Sequence, residues 1–216
     1  MSDPGPRQLP LPVQLRDEAT FGNFLPSPAT LPLVAALQEQ AAGSGEAIIY
    51  IYGPEGIGKS HLLQAGCHLA GAGGALYLPL GELADHRPEE VVQGIEALDL
   101  VCLDDVDRVL GRAEWELALF HLCNRARQRG CALLVAGNAA PRALGVDLPD
   151  LRSRLAWGIV YQLAQAVDEE KIAILQFRAR RRGLSLSREV CSYLISRSAR
   201  DMEALLALLA TLDKAS

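Results

Sequence analysis

The amino-acid sequence predicts an α/β fold in which a five-stranded parallel sheet is flanked by helices and followed by a small all-helical domain. Short apolar runs alternate with helix-like segments through the first 165 residues. Runs that are apolar throughout are typical of parallel strands buried on both faces. From Asp168 onward the sequence shows only helical patterns, which indicates a second, smaller domain. The chain has 216 residues, half of them hydrophobic, so it is long enough for one substantial core and a small appendage.

We expect the elements in a regular order along the chain. Apolar, β-branched runs predict the strands, and apolar residues at helical spacing predict the helices. The predicted strands are 47–52, 75–78, 100–103, 131–136 and 159–163, and the predicted helices are 30–42, 59–71, 88–97, 113–129, 168–182, 187–198 and 200–213. Four prolines among the first 12 residues exclude a regular helix there. We therefore divide the chain into an extended tail at 1–19, an α/β domain at 20–165 and a helical domain at 166–216.

Residues 53–60 read Gly-Pro-Glu-Gly-Ile-Gly-Lys-Ser, a complete phosphate-binding loop between a predicted strand and a predicted helix. Its glycines allow the backbone to curl until successive N–H groups point at phosphate oxygens, and the helix N-terminus adds a positive dipole end. Lys59 is expected to reach the β- and γ-phosphates, and the Ser60 hydroxyl is expected to bind Mg²⁺. A chance glycine-rich turn is the alternative. We predict a nucleoside di- or triphosphate site formed by Gly53, Pro54, Glu55, Gly56, Ile57, Gly58, Lys59, Ser60 and His61.

A second motif follows the third predicted strand, whose apolar residues end in Asp104 and Asp105. The C-terminal ends of parallel strands lie at one edge of a sheet, so Asp104 is expected beside the phosphate loop, where it would hold Mg²⁺ through water. Asp105 occupies the position at which many ATPases have a glutamate that orients the attacking water, and aspartate is one methylene shorter. The alternative, in which the two carboxylates cap a following helix, stays open at this point.

Composition narrows the classes of function. The net charge is −5, from 21 basic and 26 acidic residues, so no broad basic field is available to bind a nucleic acid backbone. The five cysteines include no Cys-x-x-Cys pair and the four histidines no ligand-like grouping, which disfavours a zinc or redox centre. The sequence has no signal-peptide pattern and no apolar run of the ~20 residues that span a bilayer. We expect a cytoplasmic protein without a membrane segment.

The order of these motifs, followed by a helical domain, resembles the AAA+ ATPases and, within them, the branch of the bacterial replication initiator DnaA. The resemblance rests on Thr-Phe-Gly-Asn-Phe at 20–24, Ser-His-Leu-Leu-Gln-Ala at 60–65, Leu-Arg-Ser-Arg-Leu-Ala-Trp-Gly at 151–158 and Arg-Asp-Met-Glu-Ala-Leu at 200–205. It extends over nearly everything from residue 7 to residue 213. It implies an AAA+ domain that binds ADP or ATP, with a helical lid.

The resemblance also implies roles for three residues outside the two motifs. Asn138 falls at the sensor 1 position, where a polar side chain can position water near the γ-phosphate. Arg154 falls at the arginine finger, which points into a neighbour's nucleotide site and acts there in trans. Arg200 falls at sensor 2, where a lid guanidinium contacts the phosphates. Without the resemblance, Arg152, Arg154 and Arg200 are compatible with simple surface charges, and Asn138 with a turn.

The N-terminal tail is similar to the clamp-binding peptide of the Hda family, a group of DnaA-related regulators. In this chain the peptide consists of Gln8, Leu9, Pro10, Leu11, Pro12 and Val13. Extended peptides of this kind bind by seating the glutamine in a polar pocket and the leucines in an apolar one. The N-terminal domain and the C-terminal helix-turn-helix domain of DnaA have no counterpart in the sequence, so we expect no direct sequence-specific DNA binding.

The resemblance to the Hda family implies a function that is carried out on partners. The protein is expected to bind the DNA polymerase III β sliding clamp through 8–13, to hold ADP or ATP with Mg²⁺, and to present Arg154 to ATP bound on DnaA. Hydrolysis of that ATP makes the protein a negative regulator of replication initiation whose own ATPase activity is weak or absent. Two alternatives stay open, a helicase loader of the AAA+ type and a stand-alone ATPase. A homodimer or a larger oligomer is compatible with the sequence.

Overall fold

The computed structural model describes residues 14–197 and 202–215, and its centre is a parallel sheet of five strands. The strands are β1 (Ile48–Tyr52), β2 (Ala75–Pro79), β3 (Leu100–Asp104), β4 (Ala132–Gly137) and β5 (Ile159–Gln162). Their order in the sheet is β2-β3-β4-β1-β5, and all paired neighbours run parallel. The predicted α/β fold with a five-stranded parallel sheet is therefore confirmed.

Helices cover both faces of the sheet. The helices of this domain are α1 (Leu31–Ala41), α2 (Lys59–Ala70), α3 (Leu80–Leu83), α4 (Pro88–Val92), α5 (Ala113–Arg129) and α6 (Pro149–Leu155). On one face, Leu37 of α1 and Leu62 of α2 pack against the strands. On the other face, Leu119 of α5 and Leu151 of α6 do the same. In the part of the chain that the structure describes, no helix is long and apolar enough to cross a membrane.

Three further helices form the predicted lid, α7 (Asp168–Arg181), α8 (Arg188–Arg197) and α9 (Met202–Ala215). Their shared core consists of Ile172, Leu175, Cys191, Ile195 and Leu205. Gly183 follows α7 with a φ of 75°, the left-handed conformation in which glycine commonly ends a helix. The lid therefore has a small apolar core of its own.

Most predicted elements end within two residues of the observed ones, and the exceptions have local causes. The helix predicted at 88–97 is wrong in length, because α4 ends at Val92 and a separate 3-10 turn spans Ile95–Ala97. Gly94, between them, has a φ of 78°, which interrupts a right-handed helix. The sequence interpretation also missed α3 and α6. Helix α6 begins with Pro149, a residue that suits the first turn of a helix.

The segment at 14–24, which we call the strap, lies against α2 and against the lid helix α7. Ala19 is buried, and Leu15 packs against the core on the α2 side of the sheet. The Glu18 carboxylate accepts hydrogen bonds from Arg178 (2.7 Å) and Arg182 (2.9 Å), which are both in the lid. The strap therefore joins the lid to the helix that follows the phosphate loop.

Candidate functional site

The phosphate-binding loop at 53–60 joins the end of β1 to the start of α2. Gly53 has no room for a side chain, because a Cβ there would overlap a backbone carbonyl of the chain beyond β5. Gly58 precedes α2 with a φ of 100°, a conformation that strains other residues. Glu55 is exposed and pairs with Arg108, which follows β3 (2.6 Å). The loop thus presents the N-terminus of α2 at the end of a strand, as the sequence predicts.

Lys59 points back into this loop. The residue is 6% exposed, and its Nζ donates hydrogen bonds to the carbonyl oxygens of Gly53 (2.8 Å) and Pro54 (2.7 Å). An ammonium group has three donors, so one remains for a phosphate oxygen. The positive charge is therefore held inside the loop, where the N-terminal dipole end of α2 also favours an anion.

Asp104 ends β3 and is almost completely buried, at 1% exposure. Each carboxylate oxygen accepts a hydrogen bond, Oδ1 from the backbone N–H of Asp105 (3.0 Å) and Oδ2 from the Tyr77 hydroxyl (2.7 Å). The Ser60 side chain lies near the same Tyr77 hydroxyl. The two side chains that the sequence predicts as Mg²⁺ ligands are thus both next to one tyrosine.

This arrangement fits a Mg²⁺ ion. Mg²⁺ prefers oxygen ligands and usually binds one or two protein side chains together with water and substrate phosphates. Among the described residues, Asp104 forms no ion pair with a lysine or arginine, so its buried charge has no cationic partner there. Those same ranges contain no cluster of three or more His, Cys, Asp or Glu side chains suited to a metal, and all five cysteines are free and buried. Ser60 and Asp104 are therefore suitable ligands for Mg²⁺ that is bound with a nucleotide.

Asp105 has an unusual backbone conformation. Its φ of 52° lies in the left-handed region, and it is the one non-glycine residue with a positive φ in the described part of the chain. Such a conformation costs about 1–3 kcal/mol and is concentrated at functional sites. Its carboxylate forms no capping hydrogen bond to the following 3-10 turn (Val106–Arg108), so the helix-cap alternative is not supported. Burial, together with the charges of Asp104 and Asp107, raises the pKa of Asp105.

Asn138 follows β4, and its side chain is exposed. Its backbone N–H donates to Oδ1 of Asp107 (2.9 Å), and the next residue, Ala139, accepts a hydrogen bond from the buried Tyr50 hydroxyl (3.0 Å). These contacts fix the chain at the tip of β4. The carboxyl ends of three neighbouring strands thus bring the loop after β1, Asp104 after β3 and Asn138 after β4 to one edge of the sheet.

Arg152 and Arg154 lie on the same short helix, α6, but make different contacts. Arg152 donates a hydrogen bond to the carbonyl oxygen of Val146 in its own domain. Arg154 lies near two aromatic rings, with its Cζ 6.0 Å from the ring centroid of Phe120 and 5.0 Å from that of Trp157. No carboxylate of the described residues forms an ion pair with Arg154, and Trp157 beside it is 49% exposed. Both arginines are half-buried, and Arg152 is the one that donates to a backbone carbonyl.

Helix α6 is held in place by a buried carboxylate of α5. Glu116, at 1% exposure, accepts hydrogen bonds from the backbone N–H groups of Gly111 (2.8 Å), Asp147 (3.0 Å) and Leu148 (2.7 Å). Burial acts to raise the pKa of Glu116, but these donors and the charge of Arg152 together outweigh it and lower the pKa below its usual value. The position of α6 relative to α5 therefore depends on one ionised side chain.

Solved structures of DnaA have a similar fold over most of this chain. The AMPPCP-bound DnaA from Aquifex aeolicus matches with a TM-score of 0.76 and 26% identity over 91% of this chain. This chain spans 66% of the length of that DnaA chain. Domain III of the Thermotoga maritima DnaA matches with a TM-score of 0.75 and 24% identity, over 89% of this chain and 86% of that one. The fold is therefore the AAA+ fold in its DnaA-like form.

A family-model match over the lid and one relative in sequence make the similarity more specific. The family model described as Hda, lid domain, matches residues 168–216. An uncharacterised protein of Haemophilus influenzae is 43% identical over 213 residues, which cover 97% of this chain and 91% of that protein. The chain is an Hda-like protein. The structural matches to DnaA agree with the motif resemblances to the DnaA branch at 20–24, 60–65 and 151–158.

In this Hda-like chain, the predicted site residue His61 contacts the strap. Its Nε2 donates to the carbonyl oxygen of Thr20 (2.9 Å), and its ring centroid lies 5.9 Å from that of Phe24. Burial lowers the pKa of His61. The neutral imidazole thus attaches the strap to the first turn of α2, and a direct role of His61 toward a nucleotide stays a prediction.

Some predicted residues lie outside the described ranges, and some residues of the site were not predicted. Arg200 and the predicted clamp peptide at 8–13 are outside the described residues. The sequence interpretation missed Tyr77, Gln64 and Glu116. The available signal was a polar side chain on the apolar face of a helix, at Gln64 in α2 and at Glu116 in α5, because a buried polar group requires partners. Tyr77 lies inside an apolar strand, where no local pattern distinguishes it from a core residue.

Proposed function

We propose that this Hda-like protein is a negative regulator of replication initiation that promotes hydrolysis of ATP bound to DnaA. It holds ADP or ATP at its own loop, binds the sliding clamp through 8–13 and presents Arg154 to the nucleotide of its partner. The observation that supports this proposal most directly is the setting of Arg154, which lies on a helix anchored to α5, near two aromatic rings and without a carboxylate partner among the described residues.

Nucleotide binding is supported by the loop geometry and by the similarity to DnaA of Aquifex aeolicus in its AMPPCP-bound form. The loop N–H groups and Lys59 Nζ bind the phosphates. Ser60 and Asp104 hold Mg²⁺, which when bound neutralises charge on the phosphate oxygens. Asp105 and Asn138 lie at the same edge of the sheet, where polar side chains can orient water.

The chemistry proposed for Arg154 takes place on the partner. A guanidinium is always charged and has a planar fork of donors, so it stabilises the charge that develops on the γ-phosphate during hydrolysis. An arginine finger in trans is worth about 10³–10⁵ in rate. An arginine bound to a carboxylate of its own chain would have to break that pair first. A cation–π contact at an exposed site, such as that with Trp157, is worth about 0.5–1 kcal/mol, so the release of Arg154 from this ring has a small cost.

An arginine finger also needs a backbone that is held in place, and two side chains hold the backbone of α6. Glu116 accepts N–H groups at the entry to α6, and Arg152 donates to Val146 in the same turn. Small displacements of a catalytic group reduce the rate strongly, because the reacting atoms must be aligned. Anchoring α6 to α5 therefore supports the assignment of Arg154 rather than Arg152 as the finger.

Clamp binding would direct this activity to replicated DNA. The proposed peptide at 8–13 directly precedes the strap, whose residues contact both α2 and the lid. Extended peptides bind through a few side chains seated in preformed pockets, which leaves the folded domains free to contact DnaA.

A reconstituted reaction tests the proposal. DnaA loaded with labelled ATP is mixed with DNA-loaded clamp and the full-length protein, and ATP remaining on DnaA is followed over time. We expect faster loss of ATP that requires the clamp. Deletion of residues 1–13 should abolish both the acceleration and clamp binding, while calorimetry finds the same ADP affinity. A truncated protein that still binds the clamp would contradict the assignment of 8–13 as the clamp-binding peptide. A wild-type protein that does not accelerate the loss of ATP from DnaA would contradict the proposed regulatory function.

The same preparation distinguishes the two alternative functions. Binding to the replicative helicase instead of the clamp identifies a helicase loader. Sustained ATP turnover by the protein alone identifies a stand-alone ATPase.

A further inference from the structure

Tyr77 is a buried tyrosine whose hydroxyl faces the phosphate-loop side of the sheet. It lies on β2, in register with Cys102 of β3, and is 9% exposed. Its ring packs on the α2 side of the sheet. Its hydroxyl donates to Asp104 Oδ2 at 2.7 Å. A phenyl ring would fill the same space, so the hydroxyl serves an interaction that packing alone does not require.

The hydrogen bond of this hydroxyl has a defined direction. The Tyr77 proton goes to Asp104, since an ionised carboxylate can only accept. The side chains of Ser60 and Gln64 lie near the Tyr77 oxygen. Tyr77 therefore fixes one predicted Mg²⁺ ligand directly and lies beside the other.

We propose that Tyr77 is a positioning residue for the Mg²⁺ site, which fixes the carboxylate of Asp104 in the orientation that binds Mg²⁺. The inference rests on the proposed binding of a nucleotide with Mg²⁺. Groups that hydrogen-bond to metal ligands set the ligand orientation, and their removal typically costs about 10–100-fold in metal affinity. Asp104 has two such groups, the Tyr77 hydroxyl and the Asp105 N–H.

A buried side chain beside this hydroxyl is held by the strap. Gln64 is 4% exposed, and its Oε1 accepts the backbone N–H of Arg16 at 2.9 Å. Its side chain lies near the Tyr77 oxygen. The surroundings of the Tyr77 hydroxyl therefore depend on a contact with the strap.

Removal of the hydroxyl alone tests this role. ADP is titrated calorimetrically into the full-length protein, once in excess Mg²⁺ and once in EDTA, and the ratio of the two Kd values measures the contribution of Mg²⁺. In Tyr77→Phe we expect this ratio to fall about tenfold or more, with ADP affinity in EDTA unchanged. A merely structural role would lower affinity in both buffers and lower the melting temperature, without changing the ratio.

Tyr50→Phe is the matched control. Tyr50 is also a buried strand tyrosine, but its hydroxyl donates to the backbone of Ala139 and lies on the opposite face of the sheet. We expect Tyr50→Phe to keep the wild-type ratio. If Tyr77→Phe does not fold, Gln64→Met, which keeps the side-chain volume and removes the buried polar group beside the hydroxyl, is tested in its place, and a lowered ratio is again expected.

The outcomes separate this inference from the proposed function. If wild-type protein does not bind ADP in either buffer, the proposed nucleotide site is wrong, and the inference falls with it. If wild type binds ADP with a clear Mg²⁺ contribution and Tyr77→Phe has the same ratio, the positioning role is overturned while the nucleotide site stands. Equal wild-type affinities in Mg²⁺ and EDTA would also overturn it.

Discussion

Oε2 of Glu116 accepts the backbone N–H of Leu148 at 2.7 Å, and this bond joins the first turn of α5 to the entry of α6. Oε1 of the same carboxylate accepts the N–H groups of Gly111 and Asp147. Because α6 includes Arg154, a buried side chain of a neighbouring helix determines where the proposed finger lies.

Glu116→Gln should therefore destabilise the protein and weaken its action on DnaA. The amide has one oxygen instead of two, so at least one backbone N–H loses its acceptor and meets an NH₂ group. A buried donor without a partner costs about 1–3 kcal/mol in the free energy of unfolding. Chemical denaturation measures this loss, and calorimetry should find ADP affinity unchanged. Glu114→Gln is the control, because Glu114 is exposed in the same helical turn, and an equal loss in both variants would contradict the assignment.

The difference between wild type and Glu116→Gln should depend on pH. The pKa of Glu116 is lowered in the folded protein, so its stabilising effect is fully present above the unfolded value of about 4.3. The effect is lost as the pH falls through the lowered folded pKa. Urea denaturation between neutral and acidic pH should show the two stabilities converging at the acidic end. A difference that grows on acidification would contradict a lowered pKa.

Glu18→Ala should loosen the attachment of the lid. Arg178 is 5% exposed, and burial acts to lower its pKa, an effect that Glu18 opposes. Loss of the carboxylate leaves a buried guanidinium without its ion pair. Because the Glu18 side chain is itself 52% exposed, we expect a cost of about 1–2 kcal/mol, below that of a fully buried pair. Hydrogen exchange should become faster in the strap and in α7.

The control for this change is Glu169→Ala. Glu169 pairs with Arg188 in the same lid, but both side chains are mostly exposed, so the pair should contribute little. Similar exchange in the two variants would mean that the strap does not hold the lid.

The phosphate-binding loop and the Asp104-Asp105 pair were predictable because each depends on a short segment. The pattern of a buried strand, glycines and a lysine lies within 13 residues, from Ile48 to Ser60. Hydrophobic periodicity likewise predicted the five strands and the lid helices. The parallel α/β sheet and the helical lid followed from these local patterns, and the resemblance to the AAA+ ATPases and to Hda rested on short motifs. Helix α3, with four residues, was too short to produce a pattern.

The supporting contacts were not predictable because they join distant parts of the chain. Glu18 and Arg178 are 160 residues apart, and Arg16 and Gln64 are 48 apart. Tyr77 and Asp104 lie on neighbouring strands 27 residues apart, and the bond between them depends on the register of β2 against β3. From the sequence alone, Glu18 of the strap is indistinguishable from a solvent-exposed charge, because its partner Arg178 lies in the lid.

Lys59→Ala should weaken ADP binding more than tenfold, because a hydrogen bond to a charged group is worth about 1.5–3 kcal/mol. Calorimetric titration measures the change. Lys171→Ala is the control, since Lys171 is also a buried lysine but pairs with Asp168 in the lid. Unchanged ADP affinity in Lys59→Ala would count against the phosphate-binding loop.

The central claim is that Arg154 acts on ATP bound to DnaA, and the rate of ATP loss from DnaA in the clamp-loaded reaction tests it most directly. The variants are Arg154→Ala, Arg154→Lys and, as a control, Arg142→Ala at an exposed arginine of the preceding turn. All three should fold and bind ADP and clamp normally. Arg142→Ala should keep the stimulation, Arg154→Ala should lose most of an effect of about 10³-fold or more, and Arg154→Lys should fail nearly as badly, because an ammonium lacks the planar fork. Full stimulation by Arg154→Ala would contradict this claim. If stimulation is lost in Arg152→Ala but kept in Arg154→Ala, the finger has been assigned to the wrong arginine.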